Sequence, residues 1–332
     1  MRHLWPLVLV ACHASAGPAS PRVFLPGGEG GIGFDDLRFS PTLQRVLAPA
    51  GRTGKLDLID PKTHAIESVG GFSSVGTFAG GHGGGTTSVD EGAGVLFAIV
   101  CDRRDLVIVD PRAKAITMTA RLAGAPDYVR WVESTNEVWV TEPGDKQIEY
   151  FTFDGTKLAR RGVIGVPGGP ESLVIDAKRG RAYTHTWGDA TVVIDLARHA
   201  ELVRWTNGCT SSRGIALDAA RGVLFVGCEE GKAITLDVDH DGKQLGAVDT
   251  GKGVDIIAFA PTLSHLYVPA ADSATLTIVG VDATGALAVL GTTPAPAEAH
   301  CVTTDNRGHA FVCDPKHGAL LVVDDAYPAN RR

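Results

Sequence analysis

A short apolar strand that ends in aspartate recurs along this chain, and a polar turn follows it each time. Clear copies are Leu56–Asp60, Leu106–Asp110, Val192–Asp195, Ile234–Asp237 and Leu320–Asp324. Their aspartates are separated by 50, 85, 42 and 87 residues, so the long intervals are close to twice the short one. Weaker copies at Ile148–Thr152 and Leu276–Gly280 fill the two long intervals. A period of about 42 residues is typical of the four strands that form one β-propeller blade.

A hairpin pattern supports the same period. Ile215–Asp218 is followed by a turn at Ala220–Gly222 and then by Val223–Val226. Similar pairs recur in other units, as runs of β-branched and aromatic residues bounded by Gly, Asp, Asn or Pro. No segment of a dozen residues has helical periodicity. The sequence therefore predicts an all-β fold, a seven-bladed β-propeller with four antiparallel strands in each blade.

The two ends of the chain are expected to meet in the seventh blade. A lone strand at Arg22–Leu25 precedes the first unit, and the last unit ends at Asp325 with room for only three strands. The N-terminal strand would complete that blade and remove an open edge. We therefore expect a signal in residues 1–20, one propeller over residues 21–325 and a C-terminal tail at residues 326–332.

Composition narrows the choice of partners. The net charge is −7 and the chain has no basic run, so it lacks the electrostatic character of a nonspecific nucleic-acid or anionic-lipid binder. We expect a monomer whose partner is an unknown small molecule or protein. No nucleic-acid partner is expected, and membrane contact is expected only through a lipid anchor.

The N-terminus resembles an export signal. Arg2 and His3 precede the apolar run Leu4–Ala11, which is too short to span a bilayer. Residues 9–12, Leu-Val-Ala-Cys, resemble a lipobox that would place a lipid on Cys12. Alternatively, residues 14–16, Ala-Ser-Ala, resemble an ordinary cleavage site, and a third alternative is that neither site is used. The expected location is the periplasm or the outer membrane as a lipoprotein, and otherwise the protein is secreted.

The remaining cysteines suit an oxidising compartment. Cys301 and Cys313 flank the hairpin of the last blade and are expected to face each other as a disulfide, and Cys209 and Cys228 flank the blade-five hairpin in a similar way. Cys101 has no evident partner. The alternative is that all five are small buried apolar residues. Metal ligation is disfavoured because the chain has no C-x-x-C pair.

Several blade phrases resemble a known repeat family. Three strands carry the resemblance: Leu266–Ala270, Leu224–Gly227 and Ala310–Cys313. Each is followed by a polar turn and then by the recurring apolar strand that ends in aspartate, here called the strand-Asp phrase. They resemble YVTN repeats, and the whole chain resembles bacterial YncE-like proteins and their haem-d1-domain-like relatives, although no unit reads YVTN in full. The resemblance implies a seven-bladed propeller among exported bacterial proteins, most of which have no established reaction.

Candidate chemistry lies where the first strand of each unit begins. One residue per unit holds this position: Asp35, Gly85, Asp127, Glu171, Arg213, Asp255 and His300. Rotational repetition should bring them together around the axis at one face. A divalent cation could be bound by Asp127, Glu171, Asp255 and His300, with Arg213 orienting an anionic substrate or pairing with a carboxylate. The alternative is that these residues cap strand N–H groups or line a water-filled channel.

A glycine-rich insertion is expected on the same face. It contains Gly80–Gly85, and its His82 could reach over the channel mouth; the alternative is a flexible loop with an incidental histidine. His185 and Trp187, in a turn at a strand end of the fourth unit, are expected to be exposed to solvent.

The sequence favours a noncatalytic scaffold that binds a ligand or protein at the channel mouth. The alternative is an enzyme, a divalent-metal-assisted lactonase or lyase with its site in the same place. A third interpretation is a redox-partner domain related to haem-d1 propellers, which the lack of a c-type haem motif disfavours. No cofactor is implied with certainty, and a divalent cation is the candidate.

Overall fold

Seven four-stranded antiparallel sheets form the part of the chain that the computed structural model describes, residues 20–330. The innermost strands contact one another in sequence around a ring, and the strand of the last blade contacts that of the first. The seven-bladed propeller predicted from the repeat is confirmed.

The strands follow one another in chain order within each blade. The N-terminal strand is β1 (Arg22–Phe24), and the first blade contains β2 (Arg38–Ser40), β3 (Arg45–Pro49), β4 (Leu56–Ile59) and β5 (Ile66–Val69). The second blade contains β6 (Thr86–Gly92), β7 (Val95–Val100), β8 (Asp105–Asp110) and β9 (Ala115–Arg121). The third contains β10 (Val129–Val132), β11 (Glu137–Glu142), β12 (Gln147–Phe153) and β13 (Leu158–Gly165). The fourth contains β14 (Val174–Asp176), β15 (Arg181–His185), β16 (Ala190–Asp195) and β17 (Ala200–Thr206).

The remaining three blades repeat the order. The fifth contains β18 (Ser212–Asp218), β19 (Val223–Cys228), β20 (Lys232–Asp237) and β21 (Lys243–Asp249). The sixth contains β22 (Ala258–Ala260), β23 (His265–Ala270), β24 (Thr275–Val281) and β25 (Leu287–Pro294). The seventh contains β26 (Val302–Thr304), β27 (His309–Asp314) and β28 (Ala319–Asp324). Two short 3-10 helices, Pro143–Asp145 and Pro315–His317, join the second and third strands of the third and seventh blades.

Strand β1 completes the seventh blade, as the sequence predicted. It pairs antiparallel with β28, with Arg22 opposite Leu321 and Phe24 opposite Ala319. The Arg22 guanidinium also donates to the Asp314 carboxylate at 2.8 Å. The first strand of the chain thus covers what would otherwise be the exposed edge of the last blade.

The repeated aspartate has a local structural role. The Oδ1 atom of Asp60 accepts hydrogen bonds from the backbone N–H groups of Lys62 and Thr63, both at 2.9 Å. Asp110 makes the same pair of bonds to Arg112 and Ala113. A carboxylate that accepts from the next two or three N–H groups stabilises the turn that ends the strand. This explains why an apolar strand that ends in aspartate recurs along the chain.

Two disulfides join the strand ends that the sequence paired. Cys209 is bonded to Cys228, and Cys301 to Cys313, with Cα atoms 5.4 and 5.5 Å apart respectively. Within residues 20–330, Cys101 is the cysteine that forms no disulfide. The predicted signal segment and the lipidation site Cys12 lie outside the described residues. None of the helices described is long and apolar enough to cross a membrane.

Candidate functional site

A cavity of about 750 Å³ opens at the end of the channel where the inner strands begin. All six residues singled out from the sequence line it: His82, Asp127, Glu171, Arg213, Asp255 and His300. Asp35 also lines it, as the blade-one member of the predicted ring. Each of the ring residues that lines the cavity stands just before, or at the start of, the inner strand of its blade, so the propeller's rotational repeat brings them together. Their part in binding a ligand stays a prediction.

Carboxylates outnumber bases around this cavity. Seven carboxylate side chains line it: Asp35, Asp127, Glu171, Glu229, Asp255, Asp272 and Glu298. The basic side chains that line it are His82, Arg213 and His300. The acidic excess creates a site that favours positive charge.

Crowding and burial alter the acidity of these groups. Burial raises the pKa of Asp127 well above its usual range, and the charges of Asp35 and Glu171 add to the effect. Burial, with the charge of Asp255, raises the pKa of Glu171 to about 8. Burial also raises the pKa of Asp255. For Asp127 and Asp255, burial thus outweighs the stabilisation that the nearby histidine charges supply.

The carboxylate of Asp127 is not needed to hold its own segment in place. Burial and neighbouring charges are the causes of the raised pKa values of Asp127 and Asp255. The backbone N–H of Asp127 donates to the carbonyl of Thr141 at 3.0 Å. The backbone thus holds this segment in place while its carboxylate is left to face the cavity.

Arg213 is held by two carboxylates. It donates to Glu171 at 3.2 Å and, through Nη2, to Glu229 at 2.8 Å. Its guanidinium carbon lies 5.3 Å from the ring centroid of Trp187, a cation–π contact. The pairing that the sequence offered as one role for Arg213 is therefore present.

His300 has both ring nitrogens engaged by backbone. Nδ1 lies 2.7 Å from the carbonyl oxygen of Glu298, and Nε2 lies 2.9 Å from that of Phe34. A carbonyl oxygen only accepts, so each nitrogen can bond to the backbone when it carries a proton. In this arrangement both ring nitrogens of His300 face backbone oxygens.

The glycine-rich loop brings His82 to the cavity. Nδ1 of His82 lies 3.3 Å from Oδ2 of Asp35, and the Asp35 charge raises the pKa of His82 to about 10. A Cβ atom at Gly33 would collide with the carbonyl oxygen of Gly81, so the loop packs directly on the backbone before β2. This packing places His82 beside Asp35.

Two expectations about the fourth blade had different outcomes. Trp187 is 55% exposed and lines the cavity, whereas His185 is fully buried, so the prediction of an exposed His185 was wrong. His185 ends β15, where its Nδ1 pairs with the Thr191 hydroxyl at 3.0 Å. The side chain at this strand end points into the protein between neighbouring strands.

Sequence reasoning missed the contribution of the loops between the second and third strands. Trp187, Glu229 and Asp272 lie in these loops and line the cavity. Because the second strand of each blade runs antiparallel to the first, it returns the chain to the face where the inner strands begin. Polar and aromatic residues just after each second strand were therefore the signal available in the sequence.

Comparisons with known proteins establish the fold alone. No family model matches the chain, and no curated protein matches it. A chain in the crystal structure of a mitotic checkpoint complex superposes with a TM-score of 0.75 at 11% identity, covering 98% of this chain and 97% of that one. A chain of Kuenenia stuttgartiensis hydrazine synthase gives a TM-score of 0.72 at 12% identity, with 95% and 99% covered. A β-propeller domain of Myceliophteria thermophila gives 0.72 at 12% identity, with 89% and 98% covered.

Proposed function

We propose that this protein is an exported, noncatalytic binding propeller that holds a positively charged ligand at its channel mouth. The observation that carries the proposal is the excess of carboxylates over bases around one cavity of about 750 Å³. Several of these carboxyl groups are buried and have raised pKa values, so protons or a bound cation must relieve their mutual repulsion. A cavity of this size suits a small molecule or a hydrated metal ion.

The ligand proposal is tested with a panel of simple ions. Thermal shift and calorimetry would compare ZnCl₂, MnCl₂, CaCl₂, butylammonium chloride and spermidine with sodium gluconate and sodium phosphate. We expect at least one cation to bind and to raise the melting temperature, and Asp255→Asn to weaken that binding. The exposed Asp241, in an outer turn, supplies the control Asp241→Asn, which should bind as the wild type does. Binding of the anions alone, or of none of the ions, would overturn the proposal.

Export is the second part of the proposal, and the two disulfides support it, because such bonds persist in oxidising compartments. A lipidated protein should change from the membrane fraction to the soluble fraction on Cys12→Ala and lose labelled fatty acid. Unchanged fractionation would favour cleavage after Ala16. Mass mapping of non-reduced peptides should recover the Cys301–Cys313 and Cys209–Cys228 links.

We propose YVTN-repeat, YncE-like propellers as the family to which the chain is related. The strand-Asp phrases, the seven blades and the closing strand β1 support that relation. The repeats specify a scaffold, so this relation alone names no ligand.

A divalent-metal-assisted lactonase or lyase is the second candidate function. The observation in its favour is that all four metal ligands predicted from the sequence line one cavity, namely Asp127, Glu171, Asp255 and His300. Hydrolysis of a lactone panel would be followed with and without added Zn²⁺ or Mn²⁺. Turnover that requires the metal and is lost in Asp127→Asn would establish this function in place of the noncatalytic one.

A further inference from the structure

Asp35 presents to the cavity a buried carboxylate oxygen that accepts no hydrogen bond from the described residues. The residue lies just before β2, is 3% exposed and lines the cavity wall. Within residues 20–330, its Oδ2 atom has no hydrogen-bond partner. The nearest positive group is Nδ1 of His82, 3.3 Å away but not in hydrogen-bonding geometry. A buried carboxylate oxygen that accepts no hydrogen bond is costly, and a bound cation would satisfy it.

Two further side chains of metal-ligand type surround that oxygen. His82 comes from the glycine-rich loop, and Asp127 stands before β10, so three separate segments converge here. One potential ligand atom from each of Asp35, His82 and Asp127 lies within 4.8 Å of the others. The convergence of an imidazole and two carboxylates from three blades distinguishes this cluster from a solvated acidic patch.

The spacing of the closest pair fits a metal ion. Nδ1 of His82 and Oδ2 of Asp35 are 3.3 Å apart. Two zinc bonds of about 2.0–2.1 Å at the tetrahedral angle place their ligand atoms about 3.3 Å apart. The pair thus stands at the separation that two ligands of one zinc ion require.

We propose that Asp35, His82 and Asp127 bind one divalent transition-metal ion, best matched by Zn²⁺. Binding of the ion would release the proton that His82 holds beside Asp35, because only a deprotonated imidazole nitrogen binds a metal. An imidazole with two carboxylates suits zinc better than calcium or magnesium, which prefer ligand sets made wholly of oxygen. Three protein ligands leave a fourth position for water or a bound molecule, as in zinc sites that are open to substrate. This inference rests on the proposed function and identifies the cation that the acidic channel mouth holds.

Two of the other ligands predicted from the sequence are already engaged, and the third lies outside the cluster. Both ring nitrogens of His300 lie within hydrogen-bond distance of carbonyl oxygens, and Glu171 is bound by Arg213. Among the described residues, Asp255 is not part of the group whose ligand atoms lie within 4.8 Å of one another. Two other groups of potential ligands include the cysteines of the disulfides, whose sulfur atoms are bonded to each other. The proposed set therefore shares only Asp127 with the four ligands predicted from the sequence.

The experiment uses the full chain after treatment with EDTA and dialysis. Titration with ZnCl₂ in a calorimeter should show one equivalent bound, and Co²⁺ should give a visible absorption band from the same site. Asp35→Asn and His82→Ala should each weaken Zn²⁺ binding at least about 100-fold, since loss of even an outer partner of a metal ligand costs about 10–100-fold. Asp35→Asn removes a buried charge and keeps the shape of the side chain, so it should fold, and its melting curve would show this.

A variant of a carboxylate outside the proposed ligand set separates direct binding of the metal from the general effect of negative charge in the cavity. Asp272 lines the same cavity but stands outside the proposed ligand set, so Asp272→Asn should change Zn²⁺ affinity less than about fivefold. The inference is overturned if the wild type binds no Zn²⁺, or if Asp35→Asn and His82→Ala bind it as tightly as the wild type does. If the protein binds butylammonium but does not bind Zn²⁺, the metal site is refuted and the proposed function stands. If it binds no cation, both are refuted.

Discussion

The Nε2 atom of His300 lies 2.9 Å from the carbonyl oxygen of Phe34, although 266 residues separate the two in the chain. Phe34 precedes the first blade and His300 precedes the inner strand of the last. The contact joins the two ends of the ring beside the channel, while β1 and β28 join them farther out.

The first prediction concerns this inner closure. His300→Ala should lower the free energy of unfolding by about 1–3 kcal/mol, because the change removes the imidazole that faces the part-buried carbonyl oxygen of Phe34. Urea denaturation followed by tryptophan fluorescence measures the effect. His240, whose side chain is 75% exposed, supplies the control His240→Ala, which should stay within about 0.5 kcal/mol of the wild type. Equal stability of the wild type and His300→Ala would show that the closure does not depend on this ring.

The fold could be predicted from the sequence because the same turn-stabilising aspartate recurs in it. Asp60 and Asp110 stabilise equivalent turns, so each copy of the phrase marks the end of a third strand. The same repetition located Asp127 and Asp255 at the channel mouth. The surroundings of individual side chains could not be predicted, because they depend on contacts that do not repeat from blade to blade. His300 lies in the expected ring, but both of its ring nitrogens face the backbone oxygens of Glu298 and Phe34.

The second prediction is a pH dependence caused by His185. Burial lowers the pKa of this histidine from 6.5 to about 3, so its ring is neutral in the folded protein. Below pH 6.5 the unfolded chain takes up a proton that the folded chain does not bind. Stability is therefore lost as the pH falls from about 6.5 towards 3, and the loss from pH 7 to pH 5 amounts to about 2 kcal/mol from this group.

Comparison with a variant isolates that contribution. Unfolding free energies of the wild type and His185→Gln would be measured at pH 7 and pH 5. We expect the variant to lose about 2 kcal/mol less than the wild type between the two values. An identical loss in both proteins would mean that His185 does not titrate differently in the folded and unfolded states.

The third prediction is that Asp57→Asn stabilises the protein at neutral pH. Asp57 lies in β4 and is fully buried, and burial raises its pKa from 3.8 to about 6. Ser68 donates to Oδ1 at 2.5 Å, whereas Oδ2 has no partner in the described residues. A raised carboxyl pKa means that the folded state becomes less stable as the pH rises from 3.8 to 6, by at most about 3 kcal/mol.

The asparagine variant removes this charge and keeps the shape of the side chain. Its melting temperature should exceed that of the wild type at pH 7.5, and the difference should shrink as the pH approaches 4. Melting curves at the two pH values measure both effects. A variant less stable than the wild type at pH 7.5 would mean that the ionised carboxylate is better solvated than its burial implies.

The last prediction concerns an ion pair that links blades across the channel. Arg130 on β10 makes two bonds to Asp36, at 2.6 and 3.1 Å, and both side chains are almost fully buried. The Ser88 hydroxyl also donates to Asp36, and Nε of Arg130 donates to the carbonyl of Leu173, so the network joins segments of four blades. Such a buried pair gains little over apolar packing, but removal of one partner leaves a charge that water cannot reach.

Asp36→Asn should therefore destabilise the protein by about 3–5 kcal/mol, and the second change Arg130→Met should restore part of that loss. Urea denaturation of the two single variants, the double variant and the wild type completes a double-mutant cycle. The half-exposed pair of Arg204 and Glu201, at 2.9 Å, offers the control Glu201→Gln, which should cost less than about 1 kcal/mol. Strictly additive effects of Asp36→Asn and Arg130→Met would show that the two charges do not stabilise each other. A coupling of several kcal/mol would instead identify the pair as the polar link that fixes these blades around the channel.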